Sequence, residues 1–163
     1  VRKLEEKSDL KFELNYNQSQ HFNCDEYKKY LGSEYDDYFK FTVVRNPFDR
    51  VVSYYYGGAI QKGLSFKDWV VDRYLNENYK DYIRMYSDYT HWFNKDELNY
   101  ILKFENLNQD FSKLKEALDL NCELGKANVN KSRTHYRDYY DNKTKDIIEN
   151  HFEKELNAFQ YKF

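Results

Sequence analysis

With 163 residues, the chain is long enough to build one hydrophobic core and too short for two comfortable domains. A net charge of −2, a pI near 6.1 and the lack of any basic run exclude a protein that coats nucleic acid. A mean hydropathy of −1.05, without a long apolar run, excludes a transmembrane helix within these residues.

Tyrosine contributes 18 residues and phenylalanine 12, against one Met and one Pro, so aromatic rings must supply much of the core. Such a composition also suits a sugar-binding module, but most rings recur at helical or strand-inward positions, which favours core duty. Cys24 and Cys122 lie far apart and have no metal-ligand spacing; two free thiols fit a reducing compartment better than a disulfide does.

In chain order, residues 1–8 read as the end of a helix and Leu10 to Leu14 as a short strand. A short helix is predicted from Cys24 to Leu31, with Asn23 as its cap. Tyr38 to Val44 is aromatic and β-branched and reads as a buried strand. A helix follows from Pro47 to about residue 60: Asn46 is a good cap, Pro47 suits the first position, and Asp49 favours the positive helix end. Gly57-Gly58 through Gly63 reads as the loop ending it. Ser65 and Asp68 form a capping-box pattern for a helix running to about Leu75, and Asp81 to Tyr86 reads as another helical piece before a loop at Ser87 to Lys95. Tyr100 to Phe104 is a strand, and Asn108 to Leu120 a helix with Phe111, Leu114 and Leu118 on one face. Thr144 is taken as the cap of the final helix, whose buried stripe is Ile147, Ile148, His151, Phe152 and Leu156. Strands alternating with helices imply an α/β domain with a central parallel sheet, and ligands of such sheets bind at the carboxyl ends of the strands, where Arg45 falls.

A strand ending in arginine and feeding a helix N-terminus is a physically sound place to hold a phosphate. The residues there are Arg45-Asn46-Pro47-Phe48-Asp49-Arg50-Val51-Val52-Ser53-Tyr54-Tyr55. This run resembles the 3′-phosphate-binding element R-[ND]-P-x-x-R-x-x-S-x-Y of the sulfotransferases that use 3′-phosphoadenosine 5′-phosphosulfate (PAPS), specifically the carbohydrate type. Three more segments are similar in order: Asn99 to Leu107, a strand ending in Glu105; Asn128-Val129-Asn130-Lys131-Ser132-Arg133 followed by Tyr136, Tyr139 and Tyr140; and the closing Phe159-Gln160-Tyr161, with Gln160 where the family has glycine.

The resemblance implies one sulfotransferase domain over residues 1–163, with a P-loop-NTPase-like fold. It implies transfer of a sulfuryl group from PAPS to a hydroxyl of a carbohydrate or glycolipid acceptor, releasing 3′,5′-ADP. By resemblance, Arg45 and Ser53 bind the 3′-phosphate, and the loop of Asn130, Lys131, Ser132 and Arg133 closes over the nucleotide; a solvated basic turn is the plainer reading of that loop. His21, 24 residues ahead of Arg45, is the best catalytic base, since imidazole titrates near the working pH; its alternative is a loop histidine capping the 24–31 helix. Glu105 is the second candidate base, with a structural hydrogen bond as its alternative. His91 and Trp92 are placed in the acceptor cleft, against the reading of a surface loop. His135 and His151 read as structural, and Arg50, five residues past Arg45, as the partner of a carboxylate. No metal is implied, because no His, Cys and carboxylate cluster has ligand spacing.

The family's P-K-[TS]-[GA]-[GST]-T-S loop for the 5′-phosphosulfate has no counterpart here, and the first residue is Val1. The simplest expectation is a fragment lacking about the first thirty residues of a domain, poor at transfer by itself; the alternative is a non-catalytic nucleotide- or glycan-binding remnant. A phosphotransferase of the P-loop type is disfavoured by the absence of G-x-x-x-x-G-K-[ST]. No nucleic acid and no membrane span are expected as partners, and the oligomeric state is not legible. The expected location is cytoplasmic for a prokaryotic or viral source, and the Golgi lumen if a removed N-terminus carried an anchor.

Overall fold

The computed structural model describes residues 22–59, 63–76, 86–125 and 133–163. The helices are α1 (Cys24–Leu31), α2 (Pro47–Tyr54), α3 (Phe66–Val70), α4 (Leu107–Ala117), α5 (Asn142–His151) and α6 (Glu153–Phe159), and the strands β1 (Phe41–Val44) and β2 (Tyr100–Lys103). The elements expected over 1–8, 10–14 and 81–85 lie outside the described residues. Two compact units result: Val1–Val44 with Phe93–Lys131, and Arg45–Trp92 with Ser132–Phe163. No helix among the described residues is long and apolar enough to cross a membrane.

In the first unit, α1 starts at a full capping box. Asn23 Oδ1 accepts from the Glu26 amide at 2.9 Å, and Glu26 Oε2 accepts from the Asn23 amide at 2.8 Å. The helix stops at Gly32, whose φ of 60° is open to glycine at little cost. Lys28 reaches across to Glu97 with an Nζ–Oε2 distance of 2.7 Å, tying α1 to the short 3₁₀ turn Lys95–Glu97.

Strands β1 and β2 pair in parallel, with Phe41 opposite Tyr100 and Val44 opposite Lys103. The ladder is started by Asn99, whose Oδ1 accepts from the Lys40 amide at 2.7 Å while its own amide donates to the Lys40 carbonyl at 2.8 Å. At the other end, Asp110 of α4 accepts from the Lys103 amide at 2.8 Å. Helix α4 then lays Phe111 and Leu114 onto Leu102, with Cys122 completing a small core. That core is largely aliphatic, unlike the aromatic one the composition leads one to expect.

The strand is shorter and more open than the sequence suggests. Tyr38 and Phe39 precede it, and Phe41 and Val43 are 43% and 46% exposed. The reason is positional. Side chains paired across a parallel ladder share a face, and α4, which follows β2, covers Leu102 without extending over Phe41 and Val43.

In the second unit, α2 begins as its sequence dictates. Asn46 Oδ1 accepts from the Phe48 amide at 3.0 Å, Pro47 takes the first position, and the cap is pinned by Asn46 Nδ2 donating to the Lys162 carbonyl at 3.0 Å. Phe48, Val51 and Val52 are fully buried. Gly57 does not end the helix as expected; it sits within a wider π-helical turn, Tyr55–Ala59. Ser65 caps α3 by accepting from the Asp68 amide at 3.1 Å, and the helix widens into a second π turn at Val71–Leu75.

The core here is aromatic, as the composition demands. Phe66 meets Tyr55 edge-on at 5.4 Å and Tyr140 at 4.9 Å, while Tyr74 meets Tyr86 at 5.5 Å and Phe152 at 5.7 Å. The final helix differs from expectation in two respects. Its cap is Asp141, not Thr144: Asp141 Oδ1 accepts from the Thr144 amide at 2.8 Å, and Thr144 Oγ1 accepts from the Asp141 amide at 3.0 Å. The helix also breaks at fully buried Phe152 into α5 and α6. It closes on Gln160 in the left-handed region at φ 57°, the position where the resembling family carries glycine.

Arg50 points into this unit, as its place on α2 suggests. Its Nη1 and Nη2 donate to the two oxygens of Glu155 at 2.7 and 2.8 Å, and its guanidinium stacks 4.8 Å from the Phe152 ring. His151 Nε2 donates to the Tyr86 carbonyl at 2.7 Å, and His135 Nδ1 accepts from the Arg137 amide at 3.3 Å, so both histidines have structural roles.

Candidate active site

Arg45 directly follows the last residue of β1 and precedes the cap of α2. The side chain turns along the helix to Asp49, four residues on, with Nε and Nη2 each 2.5 Å from Asp49 Oδ2. The other carboxylate oxygen, Oδ1, receives Nη2 of Arg133. Two guanidiniums therefore share one carboxylate, each oxygen serving one arginine. All three side chains are largely buried, at 22% exposure for Arg45, 16% for Asp49 and 15% for Arg133. Ser53 lies one turn beyond Asp49 at helical spacing, half-buried.

The first turn of α2 contributes less to anion binding than its position suggests. Pro47 has no N–H, and the Phe48 amide is occupied by the Asn46 side chain. The positive charge for an anion must come mainly from side chains, and the cluster supplies two guanidiniums against one carboxylate.

Arg133 is held by the segment after it. Its neighbour Thr134 donates from its amide to the Tyr139 hydroxyl at 3.2 Å, and the Tyr56 and Tyr139 hydroxyls lie 2.7 Å apart. Tyr140 donates from its hydroxyl to the Phe48 carbonyl at 2.9 Å, fastening the 3₁₀ turn Tyr136–Tyr139 to the start of α2. Burial, and after it the charge of Arg45, lower the proton affinity of Arg133 below the usual arginine value, though a guanidinium stays charged at neutral pH. Burial works to raise the Tyr139 phenol, but hydrogen bonds with Thr134 and Tyr56, together with the Arg133 charge, outweigh it and bring the group below the ordinary tyrosine value. Tyr56 moves the opposite way, chiefly through its bond to Tyr139.

Of the residues singled out from the sequence, Arg45 and Arg133 are brought together at Asp49, and Ser53 shares the α2 face of Asp49. His91 and Trp92 belong to the same unit but to another element, following the 3₁₀ turn Tyr89–His91; their rings meet edge-on at 5.4 Å, and the buried Nε2 of His91 has no hydrogen-bond partner among the described residues. Glu105 occupies the expected place immediately after β2, in the exposed turn Phe104–Asn106, and belongs to the first unit. His21, Asn130, Lys131 and Ser132 lie outside the described residues. The sequence reading missed Asp49 as the centre of the cluster. Its spacing of four from Arg45 was an available signal; the arrival of Arg133 was not.

The chain matches the sulfotransferase family over residues 2–162, and it belongs to that family. Neither a curated protein nor a solved structure gives a significant match to it. The family is one of transferases that move a sulfuryl group to an acceptor, and the mixed α/β architecture with its parallel strand pair agrees with the sulfotransferase fold.

Proposed function

We propose that the protein transfers a sulfuryl group from PAPS to a hydroxyl of a carbohydrate or glycolipid, and that residues 1–163 act in this as one domain. The observation that carries the nucleotide assignment is the convergence of Arg45 and Arg133 on Asp49 at the head of α2. Two guanidiniums held side by side suit a dianionic phosphate better than a single surface arginine does. In this reading Arg45 and Ser53 hold the 3′-phosphate, with Arg133 beside them, and the loop of Asn130, Lys131, Ser132 and Arg133 closes over the nucleotide. That group takes no part in bond-making, so its binding energy serves to orient the reacting end.

At the reacting end, the acceptor oxygen attacks sulfur as the bond from sulfur to the bridging oxygen of the 5′-phosphate breaks. The electron pair leaves with 3′,5′-ADP, and the acceptor proton passes to a base, for which His21 comes first and Glu105 second. No metal is needed for these steps. His91 and Trp92 are assigned to the acceptor, since an indole face and a ring nitrogen suit a sugar's apolar face and its hydroxyls.

Titration of adenosine 3′,5′-bisphosphate by calorimetry tests the nucleotide site. Arg45→Ala is expected to weaken binding by about 1.5–3 kcal/mol, the worth of a hydrogen bond to a charged group. Equal affinity in the two proteins would refute the assignment. Transfer of labelled sulfate from PAPS to a panel of glycans and non-carbohydrate hydroxyls tests the acceptor class, and transfer to the latter with none to any glycan would refute the carbohydrate assignment.

A further inference from the structure

We infer that Asp49 is a positioning residue for the nucleotide phosphate, holding Arg45 and Arg133 as an assembled pair. This rests on the phosphate assignment made above. The geometry carries it: one carboxylate oxygen takes the Nε–Nη2 edge of Arg45 at 2.5 Å, and the other takes Nη2 of Arg133. Without Asp49, two like charges would face each other in a site where each side chain is less than a quarter exposed, and each long side chain would regain its rotamer freedom. The Arg45 charge already acts against protonation of Arg133.

Two effects of the carboxylate oppose one another. It removes one positive charge from the phosphate's surroundings, which weakens binding, and it fixes two flexible guanidiniums in place before the ligand arrives, which strengthens it. Positioning wins here, because Arg45 and Arg133 come from segments far apart in sequence and Asp49 is the group seen joining them. A carboxylate serving only the dipole of α2 from its first turn would need no contact with Arg133.

The test measures discrimination between adenosine 3′,5′-bisphosphate and adenosine 5′-monophosphate, which lacks the 3′-phosphate. Asp49→Asn keeps the size of the side chain and removes its charge. It is expected to reduce the preference for the bisphosphate about 10- to 100-fold, the range for charge-assisted hydrogen bonds, while leaving affinity for the monophosphate unchanged. Asp49→Glu, which restores the charge, is expected to recover most of the preference and keeps the test usable should Asp49→Asn not fold. Unchanged discrimination with a lowered melting temperature would make Asp49 merely structural, and increased discrimination would make it a competitor of the phosphate; either overturns the inference. If the wild-type protein itself fails to distinguish the two nucleotides, the phosphate assignment falls first, and the two failures are thereby told apart.

Discussion

Two arginines five residues apart on one stretch of chain lie in different surroundings. Arg45 precedes the cap of α2 and joins a partly open cluster with Asp49 and Arg133. Arg50 is turned inward, where Glu155 is 1% exposed and takes both of its terminal nitrogens. Burial would lower the proton affinity of Arg50, but the charge and hydrogen bonds of Glu155 more than reverse this and raise it above the usual arginine value. Breaking such a pair from one side leaves a buried charge without its counterion. Glu155→Ala is therefore expected to cost about 3–5 kcal/mol, while the double replacement Arg50→Met with Glu155→Leu is expected to cost far less. Urea denaturation read at constant slope measures both, and a single-variant loss below about 1 kcal/mol would show that the pair is not what holds α6 against α2.

Among the helices, the N-terminal caps are local devices, and most are legible in sequence: Asn23 for α1, Asn46 for α2 and Ser65 for α3 stand where expected. At α5 the cap moves three residues upstream, because Asp141 satisfies the Thr144 amide and also reaches Lys67 of α3 at 2.8 Å. The Asp141 carboxyl is held well below the usual carboxylate range, first by the hydrogen bond from Lys67 and then by the amide and hydroxyl of Thr144. A carboxylate with a depressed folded-state pKa contributes its stability in full above its unfolded value of about 3.9 and loses it as pH falls below that. Melting of the wild type and of Asp141→Asn is thus expected to differ at pH 6 to 7, with the gap narrowing progressively as the pH falls below about 4. A gap that stays constant through that range would mean the charge of Asp141 is irrelevant to the helix.

For the whole molecule, nucleotide binding and stability are linked, since a ligand bound only by the folded chain stabilises it. With 3′,5′-ADP at 100 times its dissociation constant the gain is about 2.7 kcal/mol. For a chain of 163 residues this is a rise of about 5–10 °C in melting temperature at roughly 2–4 °C per kcal/mol. At the same concentration Arg45→Ala is expected to retain only about 0.4–1.4 kcal/mol of that gain, if its affinity falls 10- to 100-fold. A melting temperature that does not respond to the nucleotide in the wild type would contradict the proposed co-substrate.

What is legible in the sequence is local or periodic. The spacing of Phe111 and Leu114, the Asn46-Pro47 start of α2 and the alternation of strand and helix are short-range patterns, and α4, α2 and the parallel pairing of β1 with β2 appear where those patterns put them. The fixed spacing from Arg45 to Ser53 was sufficient to suggest the family, because a strand-end cation and a helix hydroxyl at set separation are written within nine consecutive residues. What the sequence could not state is which distant groups meet. The exposure of Phe41 and Val43 and the burial of Phe152, where α5 and α6 meet, depend on packing partners that local patterns do not name. The pairing of Arg50 with Glu155 spans 105 positions, and the meeting of Arg133 with Asp49 spans 84. Such pairings follow from chain closure and from the need of a buried charge for an opposite one, which no local pattern encodes.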